Sequence, residues 1–199
     1  MRIALALALA LLFPSVSVAA DVAPQRIRAT IESVDGRTLT LKTRAGETRV
    51  LRLKEGARIN ALVAAGIEDI HVGDFVGTAA EPAPDGSQVA IEVHIFPEAM
   101  RGSGAGFRPF DLTPKSTMTN GDVGTRVEGV DGPTLTLTYK DGEQKIKITP
   151  KTVVVRIVPG EMADLKAGAG VVAFGAVPGA DGALEAGAIT VGRDVTPPM

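Results

Sequence analysis

The apolar and polar residues of this chain alternate in short runs, a pattern typical of β-strands joined by tight turns. Apolar residues occupy every second position in 27–31, in "TLTLK" at 38–42 and in "LRL" at 51–53, so each run should bury one face and expose the other. The pairs Asp35-Gly36 and Ala45-Gly46 lie between these runs, and such pairs suit the backbone conformation that a hairpin turn requires. Residues 27–53 therefore predict three consecutive antiparallel strands.

A short helix and two further strands complete the predicted unit. The alanine-rich segment "NALVAAGIEDI" at 60–70 favours a short helix, whereas "FVGTAA" at 75–80 and "QVAIEVHIF" at 88–96 favour strands. Three strands, a short helical crossing and two strands are the elements of a small five-stranded barrel of the OB type. Closing such a sheet also removes its exposed edges.

This unit occurs twice in the sequence. Residues 29–50 and 125–146 align at an offset of 96, and ten of the 22 aligned positions are identical. The alignment resumes, after one slipped residue, at "DIHVG" (69–73) over "DLKAG" (164–168). We therefore predict an all-β protein of two tandem OB-like five-stranded barrels joined by a long irregular connector. A single fused β-structure with two lobes is the alternative.

The predicted boundaries follow the repeat and an N-terminal export signal. They are a signal peptide at 1–20, a first barrel at 21–96, a connector at 97–123, a second barrel at 124–193 and a tail at 194–199. Arg2, an apolar run that ends at Pro14 and the small residues "SVSVAA" indicate the signal peptide. A membrane anchor is the competing interpretation, but the apolar run is well short of the roughly 20 residues that span a bilayer. We expect cleavage after Ala20 and a periplasmic protein with no membrane span in its mature chain.

The connector carries large apolar side chains that a plain flexible linker does not need. Phe107 and Phe110, with Arg101 and Arg108, suggest that it packs either against the protein's own barrels or against a partner protein. Its glycine run at 102–106 does not favour a phosphate-binding loop, because the following "FRPF" cannot begin a helix.

Basic residues are concentrated in one segment of the chain. The net charge is −2, which gives no general attraction to nucleic acid or acidic membranes. Within 37–54, however, a basic hairpin is predicted that contains Arg37, Lys42, Arg44, Arg49, Arg52 and Lys54. The hairpin has no aromatic residue on which bases could stack, which argues against single-stranded nucleic acid. An acidic protein surface or an anionic lipid head group is the better candidate for a ligand, and a merely solvated face is the alternative.

Candidate chemistry is sparse. The chain has no cysteine, so disulfides and thiolate sites are excluded. His71 and His94, with the thioethers of Met100 and Met118, are the candidate metal ligands, because histidine with thioether sulfur suits Cu(I). Their spacing is unlike a compact ligand set, so solvated histidines and packing methionines are the alternative. The sequence gives no reason to expect a concave pocket of converging polar groups, and we predict no cofactor and no enzymatic activity.

With the repeat in view, the chain resembles a family of small exported bacterial proteins that contain OB-like domains of unknown function. The resemblance rests on "VDG.TLT" followed by "DLK.G" and, for tandem members, on "VGDFVGTAA", "EVHIFPEAMRG", "STMTN" and "PPM". Some similar proteins carry a metal ABC transporter permease label, but this sequence has neither the apolar spans of a permease nor the phosphate loop of a transport ATPase.

The resemblance itself implies little about function. With the lack of a catalytic constellation and the surfaces of the connector and the hairpin, we predict a non-enzymatic binding or accessory module with a protein partner in the cell envelope, including a partner associated with transport. A metal-handling accessory protein of a transport system and an envelope structural protein are the alternatives. The ligand and the oligomeric state are left open.

Overall fold

The computed structural model describes residues 23–130 and 132–197, so the predicted signal peptide at 1–20 lies outside the described residues. No helix within those ranges is long and apolar enough to cross a membrane. The protein is all-β. Its strands are β1 (Gln25–Asp35), β2 (Thr38–Thr43), β3 (Thr48–Ala64), β4 (Phe75–Pro82), β5 (Gln88–Ile95), β6 (Gly106–Pro109), β7 (Thr117–Val127), β8 (Thr134–Tyr139), β9 (Gly142–Lys147), β10 (Val153–Pro159), β11 (Gly170–Pro178) and β12 (Leu184–Gly192). Short 3₁₀ turns cover Ile67–Asp69, Glu98–Met100 and Met162–Asp164.

Five of these strands form a closed barrel. β1 pairs with β2 on one side and with β11 on the other, β2 pairs with β3, and β11 pairs with β12. A parallel pairing of β12 with β3 closes the ring, with Leu184 opposite Leu51 and Val191 opposite Ala61. Because each strand alternates its side chains between two faces, one face of every strand turns into a shared apolar core.

The barrel core confirms the inward faces that the alternation predicts. Leu39, Leu41, Leu51 and Leu53 are buried in one cluster, whereas Arg52 lies on the opposite face of β3. The same cluster holds residues from the far end of the chain: Val171, Ala173, Leu184, Ala186, Ile189 and Val191. Burial of apolar surface from both ends of the chain therefore stabilises the barrel.

The closed barrel is not built from five consecutive strands. Its first three strands come from the first sequence unit and its last two from the second, so strands cross the predicted division between 21–96 and 124–193. Two tandem barrels are thus not confirmed. The sequence patterns identify which faces are buried, but they do not specify which strand pairs with which.

The remaining strands form a second lobe. Pairings connect β4, β5, β9, β8 and β7 in a ring, although β5 and β9 share only the pairs Gln88 with Ile146 and Val89 with Lys147. β6 extends the sheet beside β7. β10 joins the lobes, because it pairs antiparallel with β3 and parallel with β5. One continuous sheet therefore runs from the barrel into the second lobe.

The predicted short helix at 60–70 is wrong for its first half. β3 continues to Ala64, and only Ile67–Asp69 form a 3₁₀ turn. Residues 60–62 pair with β12 on one side of β3, and 60–64 pair with β10 on the other. These two ladders satisfy the backbone of the segment in an extended form, and tertiary pairing overrides the helical preference of its alanines.

The predicted connector is more ordered than its composition suggests. It contains β6 and the first residues of β7, so an irregular segment over the whole of 97–123 is wrong. Leu112 and Met118 are buried against Ala79, with Phe110 partly buried beside them. Phe107 is 42% exposed. The connector therefore packs largely against the protein's own strands.

Candidate functional site

A cavity of about 410 Å³ lies where the outer face of the barrel meets the second lobe. Its volume falls in the range of small-molecule binding sites, which is about 300–1,000 Å³. Residues of both sequence units line it, since β1, β3, β11 and β12 form one wall and β5, β6 and β7 form the other. The β3–β10 pair closes the back of the cavity with Leu62 opposite Ile157.

The strand register arranges the side chains of the barrel wall in two rows that contain both polar and apolar residues. Arg28 pairs with Val172, Val172 with Thr190, and Thr190 with Asn60, so one row of side chains crosses four strands on the outer face. In the neighbouring row, Phe174 pairs with Ala188, and Ala188 pairs with Arg58. Residues directly opposite in a sheet share a face, so both rows face the cavity.

The second-lobe wall has a corresponding pair of rows. Arg108 pairs with Met118, Met118 with Ala79, and Ala79 with Glu92. The next row contains Asn120 and His94 on either side of Gly77. A Cβ at position 77 would lie 2.7 Å from Oδ1 of Asn120 and 2.9 Å from the ring of Phe96, so the absence of a side chain leaves room for its neighbours.

Two of the cavity arginines are held by one loop. The guanidinium of Arg28 donates two hydrogen bonds of 2.8 Å to the carboxylate of Asp111, and Arg26 donates to the same carboxylate. The ring of Phe110 lies 4.7 Å from Cζ of Arg26 and 5.1 Å from Cζ of Arg28, which is cation–π distance. The bonds from Arg28 and the positive charge of both arginines hold the pKa of the Asp111 carboxyl well below its usual range.

Two other arginines lack such a partner. Among residues 23–130 and 132–197, Arg58 and Arg108 have no carboxylate within 4.0 Å of the guanidinium. Arg108 donates one hydrogen bond of 2.7 Å to the carbonyl of Gly104. Burial, and then repulsion from Arg26, lower the pKa of Arg108 from its ordinary value. Its guanidinium stays charged at neutral pH, so like charges converge at this end of the cavity.

One carboxylate lies behind the cavity surface. Glu92 is only 2% exposed, and its Oε2 lies 2.8 Å from Nε2 of His94, an ion-pair distance that lacks hydrogen-bond geometry. Oε1 of Glu92 and Oδ1 of Asn120 are buried and accept no hydrogen bond. The side chain of His94 is 25% exposed and shields Glu92. The accessible charge of the cavity is therefore mostly positive.

No family model, curated protein or solved structure matches this chain. The geometry and charge of the cavity are consequently the basis on which its function can be inferred.

The cavity brings together part of the predicted site residues. Arg108, Phe110, His94, Met100 and Met118 all line it. The residues that do not line it are His71, Arg101, Phe107 and the six basic residues of the predicted hairpin. His71 lies 3.6 Å from a carboxylate oxygen of Asp74 in an exposed turn, and Arg101 pairs with Glu98 and Asp122. Three of the four predicted metal ligands therefore line the cavity, and His71 lies outside it.

The basic hairpin lies on the barrel, and none of its six basic residues lines the cavity. Arg49 pairs with Glu47, and Arg52 pairs with Asp181 and Glu185, so part of its charge is already matched. Arg37 and Lys54 border a separate depression of about 160 Å³.

Sequence reasoning missed Arg26, Arg28 and Arg58, which look like ordinary outward residues of strands. A usable signal lay in β11, where Val172 and Phe174 place apolar side chains on the face opposite the buried Val171 and Ala173. A strand that is apolar on both faces indicates that something covers its outer face.

Proposed function

We propose that this protein is an exported, non-enzymatic binding module that holds a small organic anion in the cavity between the barrel and the second lobe. The observation that carries the proposal is the presence of Arg58 and Arg108, both without an acidic partner among the residues that the structure describes, in a cavity lined largely by apolar side chains. A ligand with an anionic group and an apolar body matches both features.

Physical chemistry favours such a ligand over a solvated empty cavity. Arg26 and Arg108 repel each other, and an anionic group between them would replace this repulsion with charge-assisted hydrogen bonds. Phe174, Met118 and Leu62 offer apolar surface beside the guanidinium groups. Burial of the ligand's apolar body against them would add a hydrophobic contribution.

The rest of the proposal rests on the sequence. The signal-peptide pattern at 1–20 supports export to the periplasm. We further infer that the barrel is OB-like and that the second lobe is a related small barrel that exchanges strands with it. A partner in the cell envelope, including a transport system, would receive or deliver the ligand. The basic hairpin is the proposed surface for that contact.

The charge of the cavity does not favour the metal-handling alternative. His94, Met100 and Met118 line the cavity together, but four arginines line it as well: Arg26, Arg28, Arg58 and Arg108. Positive charge in the same cavity disfavours a metal cation. No cluster of three or more histidine or acidic residues suited to a metal occurs in the part of the chain that the structure describes.

Replacement of Arg108 should weaken anion binding. The fluorescent probe 8-anilinonaphthalene-1-sulfonate combines a sulfonate with an apolar body, so we expect saturable one-to-one binding to the folded protein. Hydrogen bonds to charged groups contribute roughly 1.5–3 kcal/mol, so Arg108→Gln should weaken the affinity about tenfold or more. Fluorescence titration at fixed salt measures this change.

The matched control is Arg49→Gln in the basic hairpin, since this arginine is exposed and lies outside the cavity. Its affinity should stay within about twofold of the wild type because exposed charges interact weakly with a distant anion. Equal losses for Arg108→Gln and Arg49→Gln would show that the dye binds elsewhere and would contradict the proposal.

A further inference from the structure

We infer that the ligand carries two anionic groups held apart by an apolar chain, as in an α,ω-dicarboxylate. This inference rests on the proposed function and specifies the class of its ligand. It follows from where the unmatched positive charges lie in the cavity and from what separates them.

The arginines of the cavity differ in whether an acidic side chain neutralises their charge. Arg26 and Arg28 share the carboxylate of Asp111, which offsets about one of their two charges. Within the described ranges, Arg58 and Arg108 have no acidic partner. Glu92 lies beside His94 and is nearly inaccessible. The accessible excess is therefore at least two positive charges.

These charges are at opposite sides of the barrel wall. Arg58 lies on β3, whereas Arg26 lies on β1, and β12 and β11 stand between them. Three strand-to-strand steps in this direction separate the two arginines along the cavity wall. Arg108 belongs to the Arg26 side, since the two guanidinium groups are close enough to repel each other. The two sides therefore offer separate positions for two anionic groups.

One row of side chains between the two sides is apolar. Ala188 is opposite Arg58 in the register, and Phe174 is opposite Ala188. The ring of Phe174 then lies 5.6 Å from Cζ of Arg26. In the adjoining row, Val172 also lines the cavity, together with the polar Thr190 and Asn60. An alkyl or aryl chain can follow the apolar strip of Ala188 and Phe174 from one arginine to the other.

This arrangement makes a specific prediction about a second charge on the ligand. Moving an additional carboxylate into an apolar cavity is unfavourable unless a cation receives it. A second terminal carboxylate should therefore strengthen binding only if Arg58 engages it. Carboxylate and phosphonate share this chemistry, because arginine binds both through paired N–H donors.

Calorimetric titration of the purified mature chain with nonanoate and with azelate, its nine-carbon dicarboxylate counterpart, tests the inference. We expect azelate to bind about fivefold or more tightly than nonanoate, since a good arginine–carboxylate pair typically contributes tenfold or more. Arg58→Gln should abolish this preference, so that azelate binds no more tightly than nonanoate. Arg52→Gln, on the same strand but outside the cavity, should change neither affinity. The corresponding alkyl phosphonate and bisphosphonate distinguish phosphate-like from carboxylate ligands.

The outcomes separate the two proposals. Nonanoate could bind as tightly as azelate or more tightly, while its binding still depends on Arg108. That outcome would overturn the dianionic ligand but keep the proposed function. Equal weakening of both ligands by Arg58→Gln would also overturn the dianionic ligand. The proposed function itself would fail if the wild-type protein bound none of these ligands: nonanoate, azelate, the phosphonates and the dye. The comparison of azelate with nonanoate needs no variant, so a folding defect in Arg58→Gln cannot hide the answer.

Discussion

A chain that ends after Lys166 should lose cooperative unfolding of its N-terminal strands. The truncation removes β11 and β12, although the first unit of the sequence remains intact. Without these strands β1 and β3 would each expose an edge, and the barrel core would lose Val171, Ala173, Ile189 and Val191. Deleting a single large buried side chain commonly costs about 2–5 kcal/mol, so the loss of two strands should exceed the whole stability of the barrel.

Thermal unfolding monitored by circular dichroism measures this effect. A chain that ends after Pro197 keeps every barrel strand and should unfold like the full-length protein. If the chain that ends after Lys166 kept a cooperative transition of its β1–β3 region, a barrel of consecutive strands would be favoured instead.

The same arrangement can be tested without truncation by a disulfide between the two ends of the chain. Arg52 and Glu185 are opposite each other in the parallel pairing of β3 and β12, and their side chains form an ion pair of 3.7 Å. The double variant R52C/E185C should therefore form a disulfide on oxidation, because paired strand residues lie within disulfide range. The control R52C/V89C, which links β3 to β5 of the same sequence unit, should stay reduced. Non-reducing peptide mapping distinguishes the two.

Gly121→Ala should be strongly destabilising. Gly121 lies in β7 between β4 and β8, and a Cβ there would be 2.5 Å from the carbonyl oxygen of Thr138. The obstructing atom belongs to the backbone of β8, so the strands must separate to admit a methyl group. Such overpacking costs about 3 kcal/mol, which corresponds to roughly 6–12 °C in Tm for a chain of this size.

Gly187→Ala is the matched control, since it lies in β12 with no heavy atom within 4 Å of the added Cβ. An exposed substitution of this kind should change stability by less than about 0.5 kcal/mol. Denaturant titration of both variants gives the comparison. Equal stability of the two variants would contradict the close approach of β7 to β8.

The local fold was predictable because strand alternation is a local property. The buried faces of Leu39, Leu41, Leu51 and Leu53 follow from their spacing alone. The pairing of Leu51 with Leu184 cannot be predicted from this spacing, because a buried leucine on β3 can pack equally well against a strand of either sequence unit. Long-range pairing also explains why 60–64 are extended, since β10 pairs with all five residues and β12 pairs with 60–62.

The candidate site was only partly predictable for the same reason. Phe110 and Arg108 stood out because aromatic and basic residues are unusual in a linker. Arg26, Arg28 and Arg58 are single polar residues on strands, and nothing local distinguishes them from solvated side chains. They converge only after β1 and β3 pair with β11 and β12 and the second lobe covers that face. The site is thus a property of long-range pairing.

A crystal structure of the protein with 8-anilinonaphthalene-1-sulfonate would test most directly whether the cavity is the anion site. We predict the sulfonate beside Arg108 and the aromatic rings against the apolar strip of Ala188 and Phe174. Dye bound on the basic hairpin at 37–54, with none between the barrel and the second lobe, would contradict the proposed function.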